Sequence, residues 1–198
     1  LTFYTMATTT TKKPVRKKPD VIEELPSNPF AFEVLNLVSK QKTNAKKVEV
    51  LRKYEDNSLK SIFIWNFDES VISLLPEGEV PYASTSEQNA YSGTLSGKID
   101  DAVSKMGELG SNSLGSSDQG RSSIRKEYHM FYNFVKGGND SLSSLRRETM
   151  FINILQGLHP LEAEIVCLVK DKKLQDKYKI TKEIVSEAYP DIRWGNRS

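Results

Sequence analysis

Six lysines, Lys170, Lys172, Lys173, Lys177, Lys179 and Lys182, fall within thirteen residues against only Asp171 and Asp176, a local charge of +4. Ammonium groups at this density suit phosphate oxygens, because each contact releases condensed counterions. The pattern predicts a helix end, a lysine-rich loop and the start of a further helix at Thr181, whose free backbone N–H groups would stand beside the ammoniums. A solvated charged face fits the same composition. Arg146 and Arg147 form a second cationic group, and Lys46, Lys47 and Lys53 a third. If the three groups share one surface, the footprint is large enough to contact a duplex backbone.

Other chemistry is sparse. The chain has no Gly-x4-Gly-Lys-Ser/Thr phosphate loop, no Rossmann glycine fingerprint, no nucleophile elbow and no His-Glu-x-x-His pair. Cys167 is the single cysteine, which excludes an intramolecular disulfide, and with only His129 and His159 beside it no zinc set is expected. No catalytic residue, metal or cofactor is therefore predicted. His159 is the one candidate acid/base, but its nearest acids, Glu162 and Glu164, sit where a helix N-terminus already favours negative charge. His129, among Tyr128, Met130 and Phe131, reads as a packing histidine. Phe63, Trp65 and Phe67 have rings that can stack on bases, yet with Ile62 and Ile64 between them they suit a core better.

The 198 residues carry 28 basic and 26 acidic side chains, and the small excess hides a segregation. Residues 66–120 hold 2 basic and 9 acidic residues, a charge of −7, while the rest of the chain totals +9. Such asymmetry points to a charged partner or to self-shielding. No run approaches the ~18 apolar residues of a membrane span, and no secretory leader is recognised, so a cytoplasmic setting away from membranes is expected.

Several elements must position these residues. Leu1–Thr5 precede Met6-Ala7-Thr8-Thr9, which reads as a natural start, and are set aside. Residues 1–29, with Lys12, Lys13, Arg16, Lys17 and Lys18 among four prolines, read as a disordered basic arm. Asn28 and Pro29 predict a helix start near 30, with Phe30, Val34, Leu37 and Val38 as its stripe. Thr43 predicts a second helix, burying Val48 and Leu51 and turning its lysines to water, and Asn57 a third through Trp65. Asp68 is expected to cap a short turn carrying Val71, Ile72, Leu74 and Leu75, stopped by the Pro76–Pro81 turn. From 84 to 123, 17 of 40 residues are Ser or Gly, which reads as a flexible insertion. A helix is expected over 124–135. Asp140 or Ser141 should cap a central helix burying Leu142, Leu145, Ile152 and Leu155, ending at Gly157. Pro160 starts the next, with Leu161, Ile165 and Leu168 inward, and Thr181 caps the last, with Ile184, Val185 and Ala188.

The order Leu74-Leu75-Pro76-Glu77-Gly78, Phe134-Val135-Lys136-Gly137-Gly138, Leu145-Arg146-Arg147-Glu148 and Gln156-Gly157-Leu158-His159-Pro160-Leu161-Glu162-Ala163-Glu164 resembles a family of small uncharacterised proteins of T-even-type tailed phages, cyanophages especially. That resemblance covers 30–82 and 121–192 and implies a phage origin and a host-cytoplasm setting, with the Ser/Gly segment as an insertion that shorter members lack. In addition, Val34-Leu35-Asn36, Lys46-Lys47-Val48-Glu49-Val50-Leu51 and Asn57-Ser58-Leu59-Lys60, with Ile180-Thr181, Ile184-Val185 and Ala188-Tyr189-Pro190-Asp191-Ile192, are similar to the opening and close of the helical N-terminal domain of phage ATP-dependent DNA ligases, which implies backbone contact with duplex DNA. The adenylating Lys-x-Asp-Gly motif has no counterpart, so ligase activity is not implied.

The expectation is an all-α domain of six to eight helices. It is divided as arm 1–29, helical half 30–82, Ser/Gly-rich insertion 83–122, second helical half 123–192 and tail 193–198. Its expected function is that of a non-enzymatic accessory protein binding nucleic-acid backbone without sequence specificity. The alternative is an adaptor or virion-associated component that meets a phage or host protein through the Pro76–Tyr82 turn and exposed helix faces.

Overall fold

The computed structural model describes residues 21–83, 92–94 and 122–198. Most of the expected basic arm (1–20) and most of the expected insertion lie outside the described residues. Among those described there are eight α-helices, one 3-10 helix and a single pair of three-residue strands, so the domain is all-α as expected.

The first half begins with residues 21–29, which are extended and packed rather than detached. Ile22 and Leu25 lie against the core, and the Leu25 N–H donates to the Tyr54 hydroxyl at 2.8 Å. Helix α1 (Ala31–Lys40) buries Ala31, Phe32, Val34, Leu35, Leu37 and Val38, a width of apolar surface that only a central helix carries. Its N-cap is Phe30, not Asn28, and has no side-chain cap. Thr43 does cap α2 (Asn44–Lys53), accepting from the Lys46 N–H. Helix α3 (Asn57–Phe67) is capped by Asp56, one residue earlier than expected, through the Ser58 N–H at 2.8 Å.

Asp68 both ends α3 and starts the expected short turn, with Val71 N donating to its carbonyl at 3.1 Å, and its buried carboxylate accepts from Ser70 N and Oγ, Gly195 N and the Arg197 guanidinium. Burial opposes the charge, but these hydrogen bonds and Arg197 outweigh it and hold the carboxyl below its ordinary value. The expected tail is thereby folded onto α3. The segment after Asp68 is extended, with Leu74 N donating to Phe134 O and Lys136 N to Ile72 O, both at 2.8 Å. Strand β1 (Pro81–Ala83) then pairs antiparallel with β2 (Ser92–Thr94), in the register Pro81↔Thr94 and Ala83↔Ser92.

In the second half the helix expected over 124–135 is one short turn, α4 (Ile124–Glu127), followed by a 3-10 helix (Tyr128–Phe134) that buries Phe131 and Phe134. Helix α5 (Ser144–Gly157) is capped by Ser143, later than expected. Its buried residues are Arg147, Phe151 and Leu155, an i, i+4 line that leaves Leu145 75% exposed. Helices α6 (Pro160–Lys170), α7 (Leu174–Lys177) and α8 (Lys182–Ala188) follow, with Thr181 capping α8 through the Ile184 N–H. The halves interleave: α6 packs on α1, α3 and α5, and α8 packs on α2 and α3.

Gly137 and Gly138 close the 3-10 segment. Gly137 has φ +84°, and a Cβ on Gly138 would lie 1.8 Å from the Tyr132 carbonyl oxygen, which backbone alone must relieve. Gly138→Ala is expected to lower unfolding free energy by about 2 kcal/mol, at the scale of core overpacking. Chemical denaturation checks this, and a change below about 0.5 kcal/mol would contradict the close approach.

Candidate functional site

Helix α2 presents its charge because the capped turn at Thr43 fixes Val48, Val50 and Leu51 inward, so the lysines and Arg52 face the other way. That polar side meets the segment around α8. Lys47 Nζ donates to the Lys179 carbonyl at 2.8 Å, the Arg52 guanidinium to the Glu187 carbonyl at 2.9 Å, and the Tyr189 hydroxyl to the Leu51 carbonyl at 2.6 Å. Lys179 N donates to Ser39 Oγ at 3.1 Å, joining the end of α1 to the same surface. Residues 40–53 carry six basic residues against Glu49, and Lys179 and Lys182 add two across the seam, with Glu183 and Glu187 on α8. Lys182 stands 5.1 Å from the Trp194 ring centroid, and Lys53 lies 5.6 Å from that of Tyr54 and 3.8 Å from Glu24. Lys47, Arg52 and Lys179 therefore lie together along the α2–α8 seam.

The other expected site residues are placed elsewhere. Arg147 is buried, and its guanidinium donates to the carbonyls of Asn133, Asn139 and Leu142 at 2.9–3.1 Å, tying the 3-10 segment to α5. Lys170 is also buried. Its ammonium binds the carbonyls of Pro76 at 2.7 Å and Gly78 at 3.2 Å and Asp171 Oδ1 at 2.6 Å, while Asp171 Oδ2 accepts from Gly78 N. These two cations are committed to the fold and cannot meet a partner. Lys172 donates to the Trp65 and Asp68 carbonyls at 2.7 and 2.9 Å, and burial pushes its ammonium below the ordinary value. Lys177 is paired with Glu164, and Lys173 stands 3.8 Å from Glu77. Arg146 is exposed on α5, whose main neighbours are α6, the 3-10 helix and β1 rather than α2 or α8. Sequence reasoning missed Arg52, although it lies on the same capped helix as Lys46 and Lys47.

The sequence-predicted reactive residues are structural. His159 is buried against the rings of Phe30 and Phe32, at 5.6 and 4.8 Å between centroids, and its Nδ1 accepts from Leu161 N to cap α6. Burial pushes the Cys167 thiol up to about 12, far from a reactive thiolate. His129 stacks on Tyr128 at 4.0 Å. Phe63 and Trp65 are in the core. Among the described residues no group of His, Cys, Asp and Glu can hold a metal, and no helix is long and apolar enough to cross a membrane.

Glu162 was read only as a helix-dipole residue, and the structure gives it more to do. Its buried carboxylate accepts from Ala31 N and Ile124 N, each at 3.2 Å. Those are the first N–H groups of α1 and α4, two helices whose own N-cap residues supply no side-chain cap. One side chain in the first turn of α6 thus caps two other helices. Burial pushes the carboxyl up to about 7 despite these donors. The folded chain therefore holds a proton that the unfolded chain releases near its ordinary value, so the contribution of Glu162 to stability is fullest below about pH 4.5 and is lost, by up to about 3 kcal/mol, as pH rises to about 7. Glu162→Gln should remove this part of the slope in urea titrations at pH 5 and pH 7.5, whereas an unchanged slope would locate it in other groups.

The sorting of cations has its own check. Lys170→Ala should cost about 3 kcal/mol, since it strands Asp171 and two turn carbonyls, while Lys179→Ala should cost less than about 0.5 kcal/mol. Thermal unfolding of both variants reads the difference, and equal losses would contradict the assignment.

No curated protein and no solved structure matches the chain. A family model does match, over residues 34–106 and 110–176, and it runs through much of the Ser/Gly-rich segment that was expected to be an insertion. With most of its length matched, the chain belongs to DUF6433, a family of unknown function.

Proposed function

We propose that this protein is a non-enzymatic accessory protein that binds nucleic-acid backbone without sequence specificity, through the face formed by Lys46, Lys47, Arg52, Lys53, Lys179 and Lys182. The observation that carries the reading is the contact of Lys47 Nζ with the Lys179 carbonyl, which joins two basic segments 132 residues apart into one surface. Ammonium groups spread over two helices and a loop suit phosphates spaced along a backbone, and nothing about them reads base edges. The resemblance of α2 and of the 180–192 segment to the first and last parts of the helical ligase domain supports the same face. The resemblance to T-even-type phage proteins supports a phage origin and action in the host cytoplasm.

The alternative, an adaptor for a phage or host protein, is favoured by the Pro76–Gly78 turn, which Lys170 and Asp171 hold in a fixed shape with Glu77 and Glu79 exposed. A partner held there would bind independently of nuclease and salt.

Fluorescence anisotropy with a short duplex of about 20 base pairs, titrated between about 50 and 300 mM salt, tests the proposal. Engagement of about four phosphates predicts a slope of about −4 in log K against log salt. Lys47→Gln with Lys179→Gln should lower the slope by about two and the affinity at least tenfold, and Arg146→Gln should leave both unchanged. Absence of binding at about 50 mM salt would overturn it.

A further inference from the structure

An open groove of about 460 Å³ lies between α3 and the 3-10 helix, away from the α2–α8 seam. Its walls include Trp65, Tyr128, His129 and Tyr132, and no acidic residue lines it, while Lys136 and Arg197 are basic. A large ring faces solvent here, Tyr132 at 52% exposure, in a domain whose other aromatic rings are mostly inside. Gly137 and Gly138 contribute backbone to one wall, beside Val135 and Lys136. The floor is rigid: Trp65 Nε1 donates to Ser73 Oγ at 2.8 Å, and the Tyr132 backbone is held by its close approach to Gly138.

The C-terminal segment connects this groove to the cationic face. Trp194 hydrogen-bonds Ser186 on α8 at 3.0 Å and lies beneath Lys182, exposed Arg193 immediately precedes it, and three residues after it Arg197 lines the groove. A ligand that fits must be planar and apolar at one point and anionic along its length. A protein segment offers no such combination without added acidic residues, and a duplex keeps its bases stacked out of reach. A single strand supplies both features, because every base has a π-face for aromatic stacking and every link a phosphate.

We propose that the groove takes one unstacked base of a single-stranded nucleic acid, stacked on Tyr132, while the adjoining phosphates pass Lys136 and Arg193 towards the α2–α8 face. This deepens the backbone-binding reading and rests on it for the path of the strand. The site makes the protein prefer single strands over duplex without preferring a sequence.

Anisotropy with three probes, a 20-mer of thymidylate, an abasic strand of the same length and a 20-base-pair duplex, tests the inference at about 100 mM salt. The thymidylate should bind about tenfold more tightly than the abasic strand. Tyr132→Ala should lower thymidylate affinity about five- to tenfold, the scale of one lost base stack, and leave the abasic strand and duplex unchanged. Tyr132→Phe should restore binding. Equal affinity for thymidylate and abasic strand, or loss in Tyr132→Ala of a protein partner with no change in thymidylate binding, would overturn the groove while sparing the cationic face. Thymidylate binding that survives Lys47→Gln with Lys179→Gln but falls with Tyr132→Ala would keep the groove and overturn the face. Binding of none of the three would overturn both.

Discussion

The domain depends on a single buried carboxylate. Glu162 stands in the first turn of α6 and holds the first N–H groups of α1 and α4, so three helix N-termini converge on one carboxyl group. The N–H groups at these helix ends would be costly to bury without an acceptor. Because its partners lie 131 and 38 residues away in sequence, the contact fixes α1 against α6 and brings the chain back after the Ser/Gly-rich segment to a defined place. His159, three residues earlier at the N-cap of α6, seals the junction by packing against Phe30 and stacking on Phe32.

With α1 fixed, the remaining order follows. Helix α2 packs on α1, and α8 packs on α2, so the two ends of the folded chain meet along a seam bonded by Lys47, Arg52 and Tyr189. The seam divides the basic residues by role. Cations whose carbonyl partners are buried, Arg147 and Lys170, hold the 3-10 segment and the Pro76–Gly78 turn, while those flanking the seam stay at the surface.

What could be read in the sequence was local. Thr43, Pro160 and Thr181 marked helix starts correctly because a cap acts within three residues, and the stripes of α2, α6 and α8 followed from them. The reading failed where the decisive partner was distant. Arg147 and Lys170 were placed outside because they are charged, although each falls on its helix's buried stripe, Arg147 with Phe151 and Leu155, and Lys170 with Val166. Leu145 was placed inside because it is apolar and in phase with Ile152, whereas the helix packs through Arg147, Phe151 and Leu155 and leaves it to solvent. The segment 193–198 was read only as a tail because Gly195 and Arg197 have meaning only beside the buried Asp68, more than 120 residues earlier. The cationic face was half legible: its members were named, but only the α2–α8 packing separates them from Arg146 and Arg147.

The most direct test of the backbone-binding face is amide hydrogen exchange with and without a short duplex at low salt. Binding at the seam predicts added protection at residues 43–53 and 179–186 and no change at 144–150. Protection at 144–150 with none at the seam would contradict the account.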